Sequence, residues 1–204
     1  MAVGLRLGCT LCQPHQCPCG ALADARGIHG LSCRRSAGRQ SRHHYINDII
    51  WRAISRAGVP TTKEPTGLVR ADGKRPDGLT LVPWHEGRSI TWDVTIADTV
   101  ADSHLAATSI TAGAATEAAA ERKTSKYAAL MQLHLFAPIA IETFGPICAE
   151  GQSFIHDIGR RISTATSDPR EAAFLFQRIS IAVQRYNAIC FAGTFQSATE
   201  ASHT

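Results

Sequence analysis

The chain has 204 residues, enough for one ordinary domain with a small appendage. A hydrophobic fraction of 44% can fill one core, and a charged fraction of 19% is unlike that of a disordered chain. A net charge of +4 permits a nucleic-acid partner without demanding one, and no stretch reaches the roughly 18 apolar residues of a membrane span.

The opening, MAVGLRLGC, has neither an apolar h-region nor a cleavage site, so no secretory signal is read there. Five of the seven cysteines fall in the first 33 residues, at Cys9, Cys12, Cys17, Cys19 and Cys33. Clustered beside histidines, they point to metal and a reducing compartment rather than to a disulfide framework. Cys17-Pro18-Cys19, then His29, then Cys33 offer four ligands that suit tetrahedral Zn²⁺, with Gly20, Gly27 and Gly30 to turn the loop. A closed set of four would be structural. Cys9, Cys12 and His15 are spare ligands, and a set using Cys12 stays open. Cys148 and Cys190, alone in apolar segments, read as core.

Three zones precede a tail: a Cys/His segment (1–33), a basic connector (34–44) and a folded domain (45–195), with residues 196–204 as a flexible end. The connector carries Arg34, Arg35, Arg39, Arg42, His43 and His44. Its arginines suit phosphate. Residues 45–57 place Ile46, Ile49, Ile50 and Ile54 on one helical face. Extended pieces follow near 64–70, 77–82 and 89–97. In the last, Ile90, Trp92, Val94 and Ile96 alternate with Thr91, Asp93 and Thr95. Gly87 suggests that the second and third pieces form a hairpin.

A helix is expected over 112–133, then a buried strand at FAPIAIETF and two helices. Asp168 as N-cap, Pro169 and Glu171 mark the start of the last helix. Strand, helix and strand suggest a crossover. The fold class is therefore α/β, a small mixed β-sheet flanked by helices, with an N-terminal zinc knuckle.

Two acids stand where structure alone would not place them. Asp77, in Lys74-Arg75-Pro76-Asp77, lies at a strand mouth, and Asp93 lies in mid-strand. In one hairpin they can converge, and such a pair with open water positions suits Mg²⁺ or Mn²⁺. Glu64 is a third candidate. On the long helix, Ala119, Lys123, Lys126, Leu130 and Leu133 form one stripe, and Ala120, Thr124, Tyr127 and Met131 the next. Lysines in an apolar stripe want an anionic partner or a route to solvent. Acids, metal and a nearby cation are what phosphodiester hydrolysis requires.

The order Glu64, Arg75-Pro76-Asp77, Asp93 resembles the PD-(D/E)XK superfamily, the restriction-endonuclease-like nucleases. Its usual strand lysine is Thr95 here, and Lys123-Thr124-Ser125-Lys126-Tyr127 resembles the variant that carries the lysine on the following helix. With the preceding Cys-Cys-His-Cys knuckle, the chain is most similar to the endonuclease region at the C-terminal end of site-specific non-LTR retrotransposon proteins. The likeness runs from residue 17 to about 145, roughly two-thirds of the chain.

That resemblance implies Asp77 and Asp93 as ligands for Mg²⁺ or Mn²⁺, with Glu64 assisting. Lys126, or else Lys123, would contact the scissile phosphate, and Tyr127 joins this catalytic set. Lys74 and Arg75 would join Arg34, Arg35, Arg39 and Arg42 in contacting nucleic acid. The implied partners are DNA, retroelement RNA or a separate reverse transcriptase portion, and no membrane. A DNA partner implies an intracellular location, nuclear in a eukaryote. Two readings compete with the nuclease: a nucleic-acid-binding remnant without catalysis, and a zinc-stabilised scaffold whose acids and lysines form structural ion pairs.

Overall fold

The structure, a computed structural model, describes residues 1–195; the expected tail at 196–204 lies outside the described residues. Helix α1 (Ala2–Leu7), the short antiparallel pair β1 (His15–Gln16) and β2 (Leu22–Ala23), and the one-turn helix α2 (His29–Ser32) form the N-terminal segment. Helix α3 (Ala37–Arg56) follows, then β3 (Thr61–Lys63), β4 (Gly78–Thr80) and β5 (Ile90–Ala97). Helices α4 (Asp102–Thr108) and α5 (Ala114–Lys126) lead to β6 (Leu135–Glu142), and α6 (Ala149–Thr166) and α7 (Glu171–Ala192) complete the described chain.

The mixed α/β class is observed. The main sheet runs β3-β4-β5-β6, with both β3–β4 and β4–β5 antiparallel and β5–β6 parallel. The hairpin and the crossover lie where the sequence places them. The first extended piece does not. Its strand is Thr61–Lys63, because Glu64 adopts a left-handed φ of 49° and Pro65 has no N–H for a ladder. Thr66–Leu68 is a 3₁₀ turn.

The basic connector is not a free linker. From Ala37 onward it is the start of α3, so this helix begins well before the residue at which its isoleucine stripe becomes visible. Packing on α7 sets that start. Gly38 lies against Cys190, where an added Cβ would come within 2.9 Å of its Sγ. Arg42, 2% exposed, donates to Asn187 Oδ1 at 2.6 Å and to Leu31 O at 3.3 Å.

The sheet is covered on both faces. Ile90, Trp92 and Val94 pack with Ile46, Ile50 and Ile54 of α3 and with the apolar faces of α6 and α7. Each such isoleucine contributes roughly 1.5–3 kcal/mol by burial. On the other face, Ala119 and Ala120 of α5 meet Ala140 and Cys148, and these small side chains let helix and sheet approach closely. Helix α5 ends at Lys126, short of the expected 133, and Leu130–Gln132 is a 3₁₀ turn. The chain must turn there so that Leu135 N can bond Ser89 O at 2.9 Å and start β6 in register. Lys123 and Lys126 therefore share a helix with Ala119, whereas Leu130 and Leu133 lie beyond it.

Helix α7 begins at Glu171 rather than at Pro169. Asp168 still caps, its Oδ1 accepting from Arg170 N at 2.9 Å, but Glu171 turns away to pair with Arg56. The N-terminal segment has no isolated core. Leu5 and Leu31 pack on Phe191 near the end of α7, and at Gly30 a Cβ would come within 2.8 Å of the Phe191 backbone.

Candidate active site and metal centre

The Cys/His ligand set folds into one cluster. The ligand atoms of Cys17, Cys19, His29 and Cys33 all lie within 4.8 Å of one another. Cys17 Sγ and Cys33 Sγ are 3.7 Å apart, close to the roughly 3.8 Å set by Zn–S bonds near 2.3 Å in a tetrahedron. Cys19 Sγ and His29 Nε2 are 3.2 Å apart. Burial pushes the Cys17 thiol up to about 11, whereas the backbone at Ala21 brings Cys19 down to about 6. This Cys₃His cluster could hold a metal such as zinc. Cys12, the alternative ligand, bonds the carbonyls of Asp24 and Ala25 instead, and His15 donates to or accepts from Thr194 at 2.9 Å. Cys148 and Cys190 are buried, as expected of core cysteines.

The acids and lysines line a cleft of about 410 Å³ at the edge of the sheet. Asp77 immediately precedes β4 and is locked onto β5: its N donates to Trp92 O at 2.9 Å, and its Oδ2 accepts from Val94 N at 2.6 Å. Asp93 faces the α5 side of the sheet. Lys123 Nζ lies 2.5 Å from its Oδ1, and Tyr127 donates to its Oδ2 at 2.8 Å. Burial, and next the charge of Asp77, push the Asp93 carboxyl above its usual range. Burial and the Asp93 charge likewise raise the Tyr127 hydroxyl, which stays a proton donor.

Lys126 is set one step back. Its Nζ donates to Tyr127 Oη at 3.0 Å, and burial followed by the Lys123 charge lowers its pKa. Of the two lysines, Lys123 is the one that contacts an acid. Glu64 lines the same cleft but is exposed, and its carboxylate is paired with Arg75. Lys74 is exposed on the cleft wall.

Arg34, Arg35 and Arg39 are exposed at the start of α3, as candidate phosphate contacts should be. Arg42 is not available as one, since its side chain is built into the α3–α7 contact. Thr95, at the strand position of the pattern's lysine, is half-buried.

Two site residues were not singled out from the sequence. His43 Nε2 lies 3.1 Å from Asp77 Oδ2 and 3.0 Å from Val94 O, and its bond to Asp77 raises its pKa. Asn47 Oδ1 accepts from the Trp92 indole at 2.9 Å, fixing the strand between the two acids. Both continue the buried face of α3, so extending the stripe of Ile46, Ile50 and Ile54 one turn back was the available signal.

No protein-family model and no curated protein matches this chain. Among the described residues, no helix is long and apolar enough to cross a membrane.

Proposed function

We propose that this chain is a metal-dependent DNA endonuclease domain of the PD-(D/E)XK type, derived from a non-LTR retrotransposon protein, which cuts or nicks target DNA by phosphodiester hydrolysis. The observation that carries this reading is the meeting of Asp77, Asp93 and Lys123 in one cleft although the strand lysine is Thr95. Helix α5 delivers the ammonium that the strand does not.

The donor set fits a hard divalent cation: two carboxylates on neighbouring strands, one raised by the charge of the other, in a cleft open to water. Bound there by Asp77 and Asp93, Mg²⁺ or Mn²⁺ supplies an activated water and Lewis-acid stabilisation of the phosphoryl oxygens. The chain's own residues do the rest. Val94 N–H orients Asp77, and the Tyr127 hydroxyl orients Asp93. Lys123 places a positive charge where negative charge develops on the phosphate. The Cys₃His cluster would hold a structural zinc, with no ligand position left open.

The test is a plasmid-nicking assay with Mg²⁺, Mn²⁺ or EDTA, with Asp77→Asn alongside. Nicking that needs the cation and disappears in the variant upholds the reading; cutting retained in Asp77→Asn and in Asp93→Asn sinks it. One observation favours a binding module without catalysis: Lys123 already neutralises Asp93, and Thr95 supplies no second cation. Its sign is tight, salt-sensitive DNA binding with no product in either metal.

A further inference from the structure

Beside the cleft lies a larger trough of about 630 Å³ that shares His43 and Lys123 with it. Its walls are the first turns of α3 and the second half of β5. Ser36 is the N-cap of this 20-residue helix, yet its hydroxyl makes no capping bond. Ser36 is 8% exposed and its Oγ has no partner; Arg42 is 2% exposed and its Nε has none. Both residues line the trough. Buried polar atoms left unmet are costly, and they mark a place where a ligand or its hydration completes the structure.

The rim supplies charge of one sign. Arg35 is anchored through a bond from Nη1 to Pro18 O at 2.9 Å, and Arg39 through a bond from Nη1 to Ser32 O at 3.0 Å. Both acceptors belong to the segment that carries the Cys₃His cluster. Arg34 follows Cys33 directly. No carboxylate lines the trough among the described residues. The first-turn N–H groups of α3 add the positive end of a long helix.

We propose that this trough is a subsite for a backbone phosphate of a nucleic-acid strand, which continues from it into the carboxylate cleft. The direction of the strand rests on the nuclease reading. From Ser36 to His43 the helix rises about 10 Å at ~1.5 Å per residue. At ~3.4 Å per nucleotide along a strand, the bound phosphate lies about three nucleotides from the cleft. The Cys₃His cluster then has a task beyond folding: it holds Arg34 and Arg35 over the strand.

The test is binding of a short, fluorescently labelled DNA duplex, followed by anisotropy across a chloride series. Arg35→Ala combined with Arg39→Ala should weaken binding at least about ten-fold and flatten the salt slope by about 1.8, near 0.9 per lost phosphate contact. Ser36→Ala should weaken binding a few-fold without lowering the melting temperature, because its hydroxyl bonds nothing in the free protein. Unchanged affinity and slope in a folded double variant would overturn the subsite. So would displacement of DNA by inorganic phosphate well beyond chloride of equal ionic strength, which marks a free-anion pocket. Asp77→Asn should bind DNA like the parent. Trough-dependent binding by a protein that nicks nothing upholds the subsite and sinks the nuclease reading.

Discussion

Lys123 Nζ lies 2.5 Å from Asp93 Oδ1, so the last turn of α5 meets the middle of β5. The contact crosses the helix-covered face of the sheet and leaves Lys126 to bond Tyr127 instead. The two lysines, three positions apart on one helix, are thereby given different work.

Substitution separates them. Lys123→Ala should lower the metal-dependent nicking rate by at least ~100-fold, the scale of losing one donor to a developing oxyanion. Lys126→Ala should cost less than about ten-fold, because it acts through Tyr127. Single-turnover rates on a supercoiled plasmid measure both, and equal losses would refute the division.

Asp93→Asn should abolish nicking yet melt at or above the parent temperature without added Mg²⁺. The wild-type carboxylate is 4% exposed and sits beside the charge of Asp77, so its ionised form is disfavoured. Lys123 is not stranded by the change, since its side chain is 25% exposed. Differential scanning fluorimetry reads the result; a fall of several degrees would mean that the ion pair is mainly structural.

One zinc per chain is expected by elemental analysis, and Cys33→Ala should lose it. The loss should release the segment that packs Leu5 and Leu31 on Phe191, while the sheet keeps its cover of α3, α6 and α7. Hydrogen exchange should then show residues 15–35 unprotected with β5 and β6 still protected. DNA affinity should fall with it, as the Arg35 anchor on Pro18 O is lost.

Lys63, and next Arg52, hold Asp48 below the ordinary carboxylate range. A depressed folded pKa adds stability that is complete above the unfolded value, near 4, and is lost as pH falls through the folded one. Asp48→Asn should therefore flatten the acid limb of stability below about pH 4. The effect is under about 1 kcal/mol, because the three side chains are largely exposed and screened. Urea titrations at neutral and acid pH check it.

Gly78→Ala should destabilise the fold by about 3 kcal/mol or more, with insoluble protein as the extreme. An added Cβ would come within 2.0 Å of the Trp92 ring, which is itself fully buried and bonded to Asn47. Chemical denaturation measures the loss, and wild-type stability would refute the packing described.

What the sequence determined by itself is local. Cys17, Cys19, His29 and Cys33 are close in the chain, so their spacing alone announces a common ligand. The alternation of β5 and the isoleucine stripe of α3 are periodicities of single elements, and the class of the fold follows from their order. The tertiary structure decided what joins distant segments. His43 reaches Asp77 and Val94, and Arg42 reaches Asn187, only because α3 crosses the sheet on one side and meets α7 on the other. Whether Lys123 or Lys126 touches Asp93 depends on where α5 ends, and the register of β6 on β5 sets that end. Helical periodicity puts two lysines near one face; a hydrogen bond of 2.5 Å to Asp93 is a property of the packed molecule, and it selects one.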